Sequence, residues 1–281
     1  MNRPHDSSAA AATRPPLTLL GTEPWRAARE FLKLKLLRPR GPRGDGHPVI
    51  VFPGLGSDGR AVRPLREHCR RLGYAAHDWG RGFNAGPRGH VDDWMQQLAD
   101  AMRGLPKSQG HNEPPSLVGR SLGGLYARKL AKLPRFAVRR VITIGTPFNG
   151  RADQTHAGWL YRLLGGTPAS NDALWHRHLR TPPPVPTTSV YSRSDGVVAW
   201  QTCRHDRNDL AMPGVEDVGV QGSHLGMGRN PQVLRAVAER LALPAALLPS
   251  QRVPRARELP RSVQRRWLVS SPQRKLRTSH V

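Results

Sequence analysis

Acidic residues are scarce in this chain. Only 20 Asp and Glu stand against 44 Lys and Arg over 281 residues, a formal charge of +24. Such an excess favours contact with anionic partners in general, but it also suits an arginine-rich solvated surface. No RNA-recognition, helix-turn-helix or zinc-finger pattern accompanies it, so nucleic acid is not an expected partner. Cysteine is scarcer still. Cys69 and Cys203 are the only two, which excludes a disulfide scaffold, a CxxC pair and a Cys/His zinc spacing. No metal and no organic cofactor is called for. No apolar run approaches the roughly 18 residues of a spanning helix. Asp6, Arg14, Pro15 and Pro16 interrupt the N-terminal stretch, making it a poor secretory signal. The expectation is a soluble, cytoplasmic protein.

Gly and Pro, by contrast, are abundant at 28 and 27 residues, in keeping with one large domain of many tight connections. Residues 1–46 divide into a leader (1–22), rich in Ala, Ser and Pro and expected to be disordered, and a basic amphipathic helix over 24–37. Trp25, Ala28, Phe31, Leu32 and Leu36 recur at helical spacing there, among Arg26, Arg29, Lys33 and Lys35. Such a helix either packs its apolar stripe on the domain or lies on an anionic membrane surface. From 47 to 243 strands and helices alternate. Short apolar runs at 47–52, 74–79, 116–119, 140–145, 187–192 and 215–220 read as about six strands, and Val49–Phe52 has the pattern of a strand buried on both faces. Helices are expected up to Arg71, over 90–105, from Leu122 to Leu133 and from Pro231 to about Leu243. Alternation of this kind predicts a mostly parallel sheet with helices on both faces. The active site of such a sheet lies beyond the carboxyl ends of its strands. Residues 244–281 form a basic tail, from Arg252 to Arg277 nearly without acid, and read as disordered.

The stretch that carries chemistry is Gly119-Arg120-Ser121-Leu122-Gly123-Gly124. It follows an apolar strand (Leu117, Val118) and precedes an amphipathic helix (Leu125, Tyr126, Leu130, Leu133). A nucleophile lifted clear of a sheet on a sharp strand-to-helix turn tolerates no bulk two positions to either side, which Gly119 and Gly123 satisfy. The Leu122 amide, at a helix N-terminus, is then placed to donate to an oxyanion.

Residues 116–150, SLVGRSLGGLYARKLAKLPRFAVRRVITIGTPFNG, resemble bacterial lipases and esterases of the α/β-hydrolase superfamily, and the resemblance extends over about 47–243. It implies the α/β-hydrolase fold and a Ser, acid, His order along the chain. The best acid after Ser121 is Asp195, beyond the fifth strand; the best base is His224, beyond the sixth. Asp217 is a worse acid because it opens or precedes that strand. His205, Asp206 and Asp209 cluster in a loop without metal-ligand spacing. By the same resemblance Leu55, in the Pro53-Gly54-Leu55-Gly56 turn, supplies the second oxyanion amide, although these enzymes often carry His-Gly there. Arg120 also departs from the family's frequent His and bears on specificity. Residues 151–186 match a lid insertion, with Trp159 and Leu163 on an apolar stripe that serves equally as core. The implied activity is hydrolysis of a carboxylic ester, of a small molecule or a lipid, through an acyl-serine. Amidases, thioesterases and acyltransferases use the same triad, and a catalytically silent binding module with a basic tail is the reading from another class. An anionic membrane is the candidate peripheral partner of the N-terminal helix and tail.

Overall fold

The computed structural model describes residues 13–37, 39–107, 110, 112–150 and 178–244. Six strands form one sheet: β1 (Pro48–Phe52), β2 (Ala75–Asp78), β3 (Ser116–Arg120), β4 (Arg140–Ile144), β5 (Thr187–Ser192) and β6 (Val215–Val220). Their order is β2-β1-β3-β4-β5-β6 and every neighbouring pair is parallel. The α/β class and the sheet read from the alternating pattern are those of the molecule.

β1, β3 and β4 are buried at every position, because side chains alternate between two helix-covered faces. Val49, Val51, Val118 and Ile142 enter one core, with Leu65 and Cys69 of α3 (Arg63–Arg71). The last described helix, Pro231–Leu241, adds Val233, Leu234, Val237 and Leu241 to it. Ile50, Phe52, Leu117 and Val141 enter the other, against Met95, Leu98 and Met102 of α4 (Val91–Lys107) and Tyr126, Ala127 and Leu130 of α5 (Leu122–Leu130). Each Val, Leu, Ile, Phe or Met among them taken fully from water contributes about 1.5–3 kcal/mol. The chain reverses its direction of strand addition between β1 and β3. That switch point opens a crevice beyond the strands' carboxyl ends, and the loops after β1 and β3 face each other across it.

One expectation fails near the N-terminus. Residues 17–21, expected in the leader, form α1 (Leu17–Gly21). Helix α2 (Glu23–Leu37) does not pack by its apolar stripe: Trp25 is 70% exposed, Leu32 58% and Leu36 73%, with Phe31 exposed as well. Its buried side chains are Glu23 and Glu30, seven residues and two turns apart on one face. Polar anchoring therefore overrides hydrophobic periodicity here. The tail and most of the expected lid, Trp159 and Leu163 included, lie outside the described residues.

Candidate active site

Ser121 follows β3 directly and caps α5 with φ 51° and ψ −123°. A non-glycine residue rarely adopts positive φ, and holding one there costs about 1–3 kcal/mol. The surroundings over-determine it: the Ser121 amide donates to the Ile144 carbonyl at 2.8 Å, and its carbonyl accepts from Gly124 N at 3.0 Å and Thr146 Oγ1 at 2.9 Å. The flanking glycines answer a steric demand. A β-carbon at Gly123 would lie 2.6 Å from the Pro53 carbonyl oxygen, and one at Gly119 would run into the Gly123–Gly124 backbone.

The structure brings the three candidate residues together from separate loops. Ser121 Oγ is 3.1 Å from His224 Nε2. His224 Nδ1 is 2.7 Å from Asp195 Oδ2. Asp195 Oδ1 accepts the Val197 and Val198 amides, each at 2.8 Å, which fixes the carboxylate. An ionised carboxylate only accepts, so Nδ1 carries the ring proton and Nε2 is left as acceptor for the serine hydroxyl. Asp195 is 3% exposed and His224 5%, so water competes little for either bond. A hydroxyl hydrogen-bonded to an imidazole so oriented is an arrangement able to supply a nucleophile.

The oxyanion candidates sit on either side of it. Leu122 opens α5, where first-turn amides have no partner within the helix. Leu55 lies in the turn after β1, and that turn abuts Ser121: a β-carbon at Gly54 would be 3.2 Å from Ser121 Cβ. Sequence reasoning missed what holds this turn. Asn84, 1% exposed, donates from Nδ2 to the Pro53 carbonyl at 2.9 Å and accepts at Oδ1 from Tyr126 OH at 3.0 Å. Its backbone bonds Gly56 N and Ser57 O, both at 2.8 Å. An asparagine in a Gly-rich loop far along the chain carries no sequence signal for that role.

Arg120, the departure from the family's frequent His, is the last residue of β3. Its side chain is buried, with Nη2 donating to the His224 carbonyl at 3.0 Å. Burial pushes its guanidinium below the ordinary range, while Asp195 and Glu23 oppose that shift. The α2 carboxylates, also unforeseen, reach the base loop from its other side. Their signal was available in the sequence as Glu23, Ala27, Glu30 and Leu34 at helical spacing. Among the described residues no three His, Cys, Asp or Glu side chains converge as metal ligands.

Residues 47–193 match the sequence model of the serine aminopeptidase family S33, just over half of the chain. The chain belongs to this α/β-hydrolase family. Among solved structures it is similar to an esterase of Pyrococcus furiosus at 19% identity, covering 69% of this chain and 88% of that one with a TM-score of 0.48. A serine hydrolase involved in carbazole degradation matches at 15% identity, over 72% and 93% of the two chains, TM-score 0.47. A thioesterase domain from the curacin biosynthetic pathway matches at 14%, over 72% and 93%, TM-score 0.46. Among curated proteins none matches the chain in sequence. It is thus an α/β-hydrolase, and no helix among its described residues is long and apolar enough to cross a membrane.

Proposed function

We propose that the protein hydrolyses carboxylic esters through an acyl intermediate on Ser121, with His224 as base and Asp195 orienting it. The observation that carries this reading is the unbroken chain from Oγ through both ring nitrogens to a doubly anchored carboxylate, at 3.1 and 2.7 Å. His224 takes the hydroxyl proton as Oγ attacks the carbonyl carbon, and the imidazolium so formed is stabilised by Asp195. Leu122 N–H, with Leu55 N–H opposite, hydrogen-bonds the oxyanion that develops. Collapse expels the alcohol, which receives the proton from His224. Water then attacks the acyl-serine by the same route in reverse, regenerating Ser121 and releasing the acid. No metal or organic cofactor enters these steps. Thioesters and amides undergo the same steps; an ester is favoured by the likeness of residues 116–150 to bacterial lipases and esterases. The test is turnover of p-nitrophenyl esters of graded chain length, with acyl adducts trapped by rapid acid quench and mapped by mass spectrometry. An acyl mass on Ser121 supports the reading. Hydrolysis that survives in Ser121→Ala contradicts it.

We further propose that the outward face of α2 rests on an anionic lipid surface. Trp25, Leu32 and Leu36 project from it, among the exposed Arg29, Lys33 and Lys35. Apolar side chains ringed by cations match an anionic interface in both terms. Vesicle flotation should show binding to phosphatidylglycerol that falls with salt and is lost in the triple serine variant of Trp25, Leu32 and Leu36. Equal binding by wild type and variant, or self-association through this face without vesicle binding, contradicts the proposal.

A further inference from the structure

The backbone of His224 is gripped from two sides by buried charge. Its N–H donates to Glu23 Oε1 at 2.9 Å, and its carbonyl accepts from Arg120 Nη2 at 3.0 Å. Glu23 holds more than the base. Its Oε1 also takes the amide of Gly196, the residue after Asp195, at 2.8 Å, and Oε2 takes the Leu225 amide at 2.9 Å. Glu30 accepts the Ser223 amide at 2.6 Å. Arg26, paired with Glu23 at 2.8 Å, donates to the Ser194 carbonyl. One helix thus ties the acid loop at 194 and 196 to the base loop at 223, 224 and 225.

This is an expensive way to dock a helix. Glu23 is 1% exposed, and removing a carboxylate from water costs several kcal/mol unless its lone pairs are met. The same helix leaves its apolar stripe in solvent, so anchoring was not limited by a lack of apolar side chains. What the buried carboxylate achieves is to meet three loop amides at once and to supply a negative charge near the buried Arg120 guanidinium. Helix α2 also precedes the stretch 47–193 over which the family likeness runs, so this grip comes from outside it.

We infer that Glu23 and Arg120 are a matched pair of positioning residues, clamping the His224 backbone on both sides of its Cα so that Nε2 stays within bonding reach of Ser121 Oγ. The inference rests on the acyl-transfer reading of Ser121. The charged groups around His224 are Asp195 from the loop after β5, Arg120 from β3, Glu23, Arg26 and Glu30 from α2, and Arg229 from the short 3₁₀ turn Met227–Arg229. The buried Cys203 thiol lies near Asp195.

The test uses full-length Glu23→Ala, Glu23→Gln, Arg120→Met and the double variant Glu23→Ala/Arg120→Met. Arg29→Gln, on the outward face of α2, is the control. Fluorophosphonate labelling rates are measured against pH beside thermal melts. Glu23→Ala should label about 10- to 100-fold more slowly while still folded, as small displacements of a base do, with Glu23→Gln recovering much of that. The acid limb of the pH–rate profile should move to lower pH in Glu23→Gln and to higher pH in Arg120→Met. The double variant should lose less than the product of the singles. If Glu23→Ala does not fold, Glu23→Gln and its pH profile carry the test. Wild-type labelling together with unshifted profiles in both variants overturns the inference. If the wild type itself fails to label, the Ser121 reading has failed, and the clamp is tested by the NMR titration of the His224 ring. Opposite displacements in Glu23→Gln and Arg120→Met support it, and coincident curves overturn it.

Discussion

Two buried aspartate–histidine pairs are built around β5 and β6, and what separates them is the partner of the second ring nitrogen. Asp195 Oδ2 meets His224 Nδ1 at 2.7 Å, and Asp217 Oδ1 meets His205 Nδ1 at 2.8 Å. Each aspartate also accepts backbone amides: Val197 and Val198 on Asp195, the His205 amide on Asp217. At the far nitrogen the two diverge. His224 Nε2 faces the Ser121 hydroxyl at 3.1 Å, whereas His205 Nε2 faces Arg128 Nη1 at 3.0 Å. A guanidinium only donates, so the lone pair of His205 is occupied and cannot act as a base. Arg128 is itself wholly buried, stacked 3.8 Å from the Phe148 ring centroid and bonded to the carbonyls of Leu179, Arg180 and Thr181. An Asp–His pair is therefore a mechanical joint until a donor with a transferable proton stands at its other end.

Breaking the two joints should give different phenotypes. The largest effect belongs to the first: Asp195→Asn should slow ester turnover on the order of 10⁴-fold by stabilising the wrong ring tautomer, with the thermal midpoint little changed. Turnover rates beside melts check this. In the second joint the loss should appear as stability. Arg128→Met removes the side-chain donor to the Leu179 and Arg180 carbonyls, while Thr181 keeps Lys132, and is expected to cost roughly 2–4 kcal/mol in denaturant titration, while fluorophosphonate labelling of the folded fraction stays near wild type. A labelling loss as large as that of Asp195→Asn would erase the distinction.

The fold was legible because its strands are buried on both faces and announce themselves as short apolar runs, as in Val49–Phe52 and Val141–Ile144. The sharp turn at Ser121 was legible because it has a local steric requirement. Asp195 and His224 could be chosen because strand ends converge on one edge, and Asp217 could be set below Asp195 by its place on the sixth strand. The partnership of Asp217 with His205 had no such signal, since it depends on the loop between β5 and β6 folding back. Helix α2 buries a face that its apolar periodicity does not mark. Hydrophobic periodicity locates an inward face only when docking is apolar, and here Glu23 and Glu30 take that face.

A smaller effect sharpens this last point. Burial raises the Glu30 carboxyl above its ordinary 4.5 against hydrogen bonds from Ser223 and Asn230, and Oε2 has no partner among the described residues. The folded state thus binds the Glu30 proton more tightly than the unfolded chain. The stabilisation this gives is full below the unfolded value and is lost as pH rises through the folded one. Glu30→Gln keeps an acceptor for the Ser223 amide without the charge, so its midpoint should exceed wild type by about 2–4 °C near neutrality and converge with it near pH 4. A lower midpoint at neutral pH would mean that the charge itself holds the loop. The smallest effect concerns the thiols. Burial pushes Cys69 up to about 12 and Cys203 well above its usual range, so a disulfide reagent should modify neither until the protein unfolds.

The most direct test of the central claim is fluorophosphonate labelling of the purified protein with peptide mapping, run beside Ser121→Ala and His224→Gln. The account predicts one adduct, on Ser121, absent from the first variant and slowed by several orders of magnitude in the second. Folded wild-type protein that takes up no label, or takes it on another residue, would contradict it.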